Sequence, residues 1–131
     1  MVCLDTDIMI AFLRGNKEAM EKIDSFSKFG IQLSTTPINV CELYIGAYKS
    51  KDSEENIKLV DEFLESIMCL NFDFKPCKLV GSLTSDLMKK GKFIGEMDVL
   101  ISSLVLLYDE VLVTRNVKHF ERIKGLRLEE W

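Results

Sequence analysis

Histidine occurs once in this sequence, and its four cysteines are widely separated. Cys3, Cys41, Cys69 and Cys77 form no Cys-x-x-Cys pair, and with His119 the sole imidazole, neither a zinc site nor a redox pair has the spacing it needs. The cysteines are expected to be reduced, mostly buried thiols, since free cysteine behaves as a small hydrophobe. Long apolar runs are also missing. The longest, near Val99 to Tyr108, is broken by Ser102 and Ser103 and falls far short of the roughly 20 residues that span a bilayer. The opening Met1-Val2-Cys3-Leu4-Asp5 has no basic region and meets an acid at once, unlike a secretory signal. A cytoplasmic chain with no membrane association is expected. Positive charge is not in excess either: the formal charge of −4 argues against a module that coats nucleic acid electrostatically. A nuclease remains open, because local basic residues can grip phosphate while acids hold metal.

What is present is a chain of 131 residues, 47% apolar, enough to bury a core without disulfides. It shows no internal repeat, low-complexity tract or linker, and its most polar connection, Lys49 to Asn56, is short enough for a loop between helices. A single domain over 1–131 is expected. Short apolar runs at Val2 to Leu4, Ile31 to Leu33, Leu70 to Phe74 and Val111 to Val113 read as strands, with an edge segment at Leu126 to Leu128. Helical periodicity covers Ile8 to Leu13, Lys17 to Phe26, Thr36 to Tyr48, Ser53 to Met68, Pro76 to Lys90, Glu96 to Tyr108 and Val117 to Ile123. Thr36 followed by Pro37 is a good helix start, as is Pro76. Between Glu54 and Met68, Ile57, Val60 and Leu64 share one face, leaving Glu54, Glu55, Lys58, Asp61, Glu62 and Glu65 to water. Strands separated by helices predict an α/β fold: a three-layer α/β/α sandwich with a mostly parallel central sheet.

Three acids resist assignment to a solvated face. Asp5 ends the run Val2-Cys3-Leu4, at the carboxyl end of a parallel strand, where open α/β sheets bind ligands; alternatively it caps the following helix. Glu42 has Ile38 four residues before it and Ile45 three after, and Asp98 is placed likewise among Ile94, Ile101 and Val105. A buried unpaired carboxylate costs several kcal/mol or more unless it is protonated or finds a partner. Glu42 could pair with a lysine or arginine, and Asp98 could favour its helix start through the macrodipole. Taken together, the three favour an oxygen-ligand site for a hard cation, Mg²⁺ or Mn²⁺. Val113-Thr114-Arg115-Asn116 then follows a strand: Thr114 can hydrogen-bond a carboxylate or a metal-bound water, Asn116 can offer an amide oxygen, and Arg115 can contact phosphate or pair with an acid, although a plain turn uses the same residues.

Leu4-Asp5-Thr6-Asp7-Ile8, Asn39-Val40-Cys41-Glu42-Leu43 with Gly46, Ile94-Gly95-Glu96-Met97-Asp98-Val99-Leu100-Ile101, and Val113-Thr114-Arg115-Asn116 with His119-Phe120 occur in the order found in PIN-domain ribonucleases. The chain resembles that family, specifically the toxin component of VapBC-type toxin–antitoxin pairs. The resemblance implies a PIN-like fold and an endoribonuclease dependent on Mg²⁺ or Mn²⁺. It assigns Asp5, Glu42 and Asp98 to the metal and Asn116 to the fourth catalytic position. Many relatives carry aspartate there, so Asn116 departs from the four-acid pattern. Thr6, Asp7 and Thr114 would fix carboxylate geometry, with a helix cap as the other reading of Asp7. Arg115 would bind substrate, and Arg14, Lys17, Lys49 and Lys51 are further RNA-gripping candidates. His119 and Phe120 are expected to pack structurally. The resemblance also implies an RNA substrate, a cognate small antitoxin and a homodimer.

Two other functions compete. A degenerate domain of this family could bind RNA or protein without cutting. The Asp5-Thr6-Asp7 stretch also resembles the aspartate nucleophile of haloacid-dehalogenase-type phosphatases, but the downstream Lys and the acidic motif after Val113 are not evident.

Overall fold

The computed structural model describes residues Met1 to Trp131. Chain order is β1 (Val2–Leu4), α1 (Thr6–Leu13), α2 (Lys17–Lys28), β2 (Leu33–Thr35), α3 (Pro37–Lys49), α4 (Ser53–Leu64), β3 (Met68–Cys69), α5 (Lys75–Lys89), α6 (Glu96–Leu107), β4 (Val111–Val113), α7 (Val117–Phe120) and β5 (Arg127–Glu129). The five strands form one sheet in the order β3-β2-β1-β4-β5, and every pairing is parallel. The predicted α/β/α sandwich is the observed fold.

Alternation along the strands builds the two cores. Val2, Leu4, Leu33 and Val113 face a layer made by α1 to α4, packing on Ile8, Met9, Ile23, Phe26, Leu43 and Val60. Cys3 and Leu112 point the other way, against Leu87 of α5, Val99, Ile101, Leu104 and Val105 of α6, and Phe120 of α7. Both faces of the central strands are therefore covered, as parallel sheets require. Truncating a fully buried leucine such as Leu4 costs about 2 to 5 kcal/mol. No helix is long and apolar enough to cross a membrane.

Several expected boundaries shift. The second strand is Leu33–Thr35, not Ile31 to Leu33, because Gly30 (φ +67°) ends the preceding turn and Ile31 stays exposed. Ser34 and Thr35 enter the sheet despite their hydroxyls: Ser34 donates to the buried Glu110 carboxylate, and Thr35 to the Leu4 carbonyl at 2.9 Å. The third strand is Met68–Cys69 rather than Leu70 to Phe74, and α4 stops at Leu64, with Asp52 rather than Ser53 as its cap position. The edge strand is Arg127–Glu129, one residue later than expected, and the helix after Asn116 is the single turn Val117–Phe120. The cysteines depart most from expectation: Cys3 is buried, but Cys41, Cys69 and Cys77 are exposed. Their helix and edge positions place them outside the two cores.

Candidate active site

Strands β2, β1 and β4 are adjacent and parallel, so the residues just beyond them, Thr36, Asp5 and Thr114, emerge at one edge of the sheet. Chain progression reverses direction between β1 and β4, and such switch points are where open α/β sheets form their ligand crevices.

Asp5 is at the centre of this edge and only 8% exposed. It is the N-cap of α1, its Oδ1 accepting the Thr6 N–H at 2.9 Å, so the capping role and the buried-acid role belong to the same residue. Oδ1 also accepts from Asn39 Nδ2 at 3.0 Å, and Oδ2 accepts the Thr114 hydroxyl at 2.7 Å. All three donors are neutral. Burial pushes the carboxyl up to about 6; the Thr114 bond opposes the rise, while the charges of Asp7 and Asp98 add to it.

Glu42 enters from α3. It is half-buried, and its Oε1 accepts the Thr6 hydroxyl at 2.8 Å. The apolar stripe expected around it is incomplete, since Ile45 is exposed. Glu42 is thus not a charge locked in the core. Asn39, one turn earlier and fully buried, links it to Asp5: the amide nitrogen reaches both Asp5 and the Thr6 oxygen, the latter at 2.8 Å, and Thr36 caps the helix through the Asn39 N–H at 3.2 Å. Sequence reasoning gave Asn39 no role. Its signal was an uncharged amide three residues before Glu42, on the same helix face.

Asp98 stands in the first turn of α6, whose start is set by Gly95 at φ +102°, ψ 153°, a conformation essentially reserved for glycine. Asp98 is half-buried. Burial raises its carboxyl above the ordinary value, and the neighbouring His119 imidazole works in the opposite direction. His119 Nε2 lies 2.7 Å from Asp98 Oδ2. The histidine packs edge-on against buried Phe120, as expected, but it also reaches the acidic centre. Nothing in the spacing from Asp98 to His119 announced this contact.

Asp7 does not cap α1. Its Oδ2 accepts the Arg115 N–H at 2.9 Å and lies 3.1 Å from the Thr114 hydroxyl, and its Oδ1 accepts the indole N–H of Trp131 at 3.0 Å. The Arg115 guanidinium stacks 3.7 Å from the Trp131 ring and pairs with Glu18 at 2.5 Å. Asn116 is exposed at the cap position of α7, without a side-chain cap bond. Beside Asp7, an open cleft of about 570 Å³ is lined by Arg14, Asn16, Arg115 and Trp131. Lys17, Lys49 and Lys51 are exposed.

The groups gathered at this edge are carboxylates braced by hydroxyls and by the Asn39 amide nitrogen, and carboxylate oxygen suits a hard divalent cation. No three histidine, cysteine, aspartate or glutamate side chains close around an ion by themselves. Mg²⁺ commonly takes one or two carboxylates and retains several waters, so the arrangement fits such an ion.

The model of the PIN domain matches residues 2–126. The chain belongs to the PIN-domain family. Among PIN-domain proteins it is similar to ribonuclease VapC2 of Haemophilus influenzae, 34% identical over 128 residues that cover 98% of this chain and 96% of that protein. The tRNA(fMet)-specific endonuclease VapC of Shigella flexneri is 30% identical over 128 residues, with the same coverage of both chains. In three dimensions the PIN fold of this chain matches the crystal structure of VapBC2 from Rickettsia felis bound to a DNA fragment from their promoter. The TM-score is 0.91 at 32% identity, covering 100% of this chain and 99% of that one.

Proposed function

We propose that this chain, as one PIN domain, is a metal-dependent endoribonuclease: a hydrolase that cuts RNA phosphodiesters and acts as a toxin restrained by a cognate antitoxin. The observation that carries the reading is Asp5. It is a buried carboxylate, facing the charges of Asp7 and Asp98, whose bonded partners are all neutral. A cation at that edge would relieve the repulsion and hold the acids ionised. The names of the similar proteins, ribonuclease VapC2 and endonuclease VapC, support RNA as the substrate, and the VapBC2 complex supports a small protein partner.

Asp5 and Asp98 would hold Mg²⁺ or Mn²⁺, and Glu42 would either bind it through water or orient the attacking water. When bound, such an ion acts as a Lewis acid on the phosphodiester and on the water that attacks it. The chain's own residues set the geometry. Thr114 and Asn39 fix the two oxygens of Asp5, and Thr6 fixes Glu42. Asn116, exposed at the mouth, offers an amide oxygen but no charge, which leaves the site weaker toward a second ion. Arg14 supplies positive charge along the cleft beside Asp7 for the RNA backbone, and Arg115 would bind phosphate there by exchanging its Glu18 partner. The protein works as a homodimer in the cytoplasm.

The test is RNA cleavage by the purified protein with Mg²⁺ or Mn²⁺, with and without EDTA. Cleavage that requires the ion supports the reading; cleavage unaffected by EDTA overturns it. RNA binding with no turnover would establish the noncatalytic alternative.

A further inference from the structure

Thr114 has one hydroxyl hydrogen and two carboxylate oxygens within reach, Asp5 Oδ2 at 2.7 Å and Asp7 Oδ2 at 3.1 Å. Its own oxygen already accepts the Asn116 N–H at 3.0 Å. One hydrogen cannot serve both acids. The shorter contact gives it to Asp5, and Asp7 does without it because an N–H binds each of its oxygens: Arg115 N on Oδ2 at 2.9 Å and the Trp131 indole on Oδ1 at 3.0 Å. The indole is held in place for this. The Arg115 guanidinium lies 3.7 Å over the Trp131 ring, the Arg115 Nε–H donates to the Trp131 carbonyl at 3.2 Å, and Glu18 secures the guanidinium from the far side.

We propose that Trp131 is a positioning residue of the acidic centre: its indole N–H satisfies Asp7 and so leaves the Thr114 hydroxyl on Asp5. The inference rests on the reading of Asp5 as a cation ligand. Trp131 lies beyond the residues matched by the PIN model and hydrogen-bonds neither Asp5 nor Asp98, so its polar influence on the centre travels through Asp7 and Thr114, apart from its packing on the core. Without the indole hydrogen on Oδ1, more of the carboxylate's shared charge falls on Oδ2, which then competes more strongly for Thr114. Asp5 then loses the charge-assisted bond that orients the oxygen it presents.

Trp131→Phe removes the N–H and keeps a ring under Arg115. Mn²⁺ affinity, measured by calorimetry without RNA, is expected to weaken about tenfold in this variant, the low end for partners outside the metal's own ligands. In an Asp7→Ala background the competitor is gone, and the same substitution should change the affinity by less than twofold. Equal losses in both backgrounds, or no loss in the native one, overturn the proposal. If the unaltered protein binds no Mn²⁺, the cation reading falls alone. The inference is then decided by the crystal structure of Trp131→Phe, in which the Thr114 hydroxyl lies nearer Asp7 Oδ2 if it is re-aimed and stays on Asp5 Oδ2 if the proposal is wrong.

Discussion

His119 Nε2 lies 2.7 Å from Asp98 Oδ2 and 2.7 Å from the Ile94 carbonyl oxygen. Both neighbours are acceptors, so this nitrogen carries the hydrogen, which bonds one of them at a time. The imidazole thereby ties α7 to the first turn of α6 and to the residue just before Gly95. His119→Ala should lower metal-dependent RNA cleavage about tenfold, while the secondary structure measured by circular dichroism is unchanged. Cleavage at the native rate would show that the contact does not orient Asp98.

Asp5 makes the stability of the metal-free protein depend on pH in an unusual direction. Its carboxyl is raised from 3.8 to about 6, so between those values the folded state binds more protons than the unfolded one, and stability falls as pH rises. The loss is complete above the folded value and amounts to at most about 3 kcal/mol. Asp98, also raised by burial, contributes in the same sense. Melting in EDTA should therefore occur at a lower temperature at pH 7 than at pH 5, and Mg²⁺ at pH 7 should recover the difference. A melting temperature that rises from pH 5 to pH 7 in EDTA would contradict the buried, cation-seeking state assigned to Asp5.

Asn39 is the buried link between the acids from β1 and α3. Asn39→Ala leaves the Thr6 hydroxyl and Asp5 Oδ1 short of a donor, and should destabilise the fold by about 1 to 3 kcal/mol. It should also reduce cleavage by about tenfold or more. Denaturant unfolding measures the first effect and turnover at saturating metal the second. A stability loss with full turnover would confine Asn39 to a structural role.

The sheet and the helical layers were legible because their residues follow simple periods. Val2 to Leu4 and Val111 to Val113 are unbroken apolar strands and appear where expected. Ser34 and Thr35 broke that pattern: their hydroxyls are satisfied by the Glu110 carboxylate and the Leu4 carbonyl, partnerships that only the folded neighbours reveal. Asp5 and Asp98 could be singled out as carboxylates set against apolar patterns, and both are at least half-buried. Glu42 was reached by weaker logic, since its flanking Ile45 is exposed. The supporting contacts were illegible for a different reason. Thr114 to Asp5 spans 109 positions and Trp131 to Asp7 spans 124, and no local period encodes a pairing across such distances. Arg115 could be read as a contact for phosphate or for an acid, but neither Glu18 as that acid nor the stack on Trp131 was legible.

Asp98→Asn is the sharpest test of whether the acids at this sheet edge cut RNA with the help of a divalent ion. The substitution preserves shape and can still accept from His119, but it removes the charge. RNA cleavage in Mg²⁺ or Mn²⁺ should fall by about a thousandfold or more, a loss of roughly 4 kcal/mol of transition-state stabilisation, with thermal stability unchanged or higher. Cleavage at the native rate by the folded Asp98→Asn protein would contradict the account.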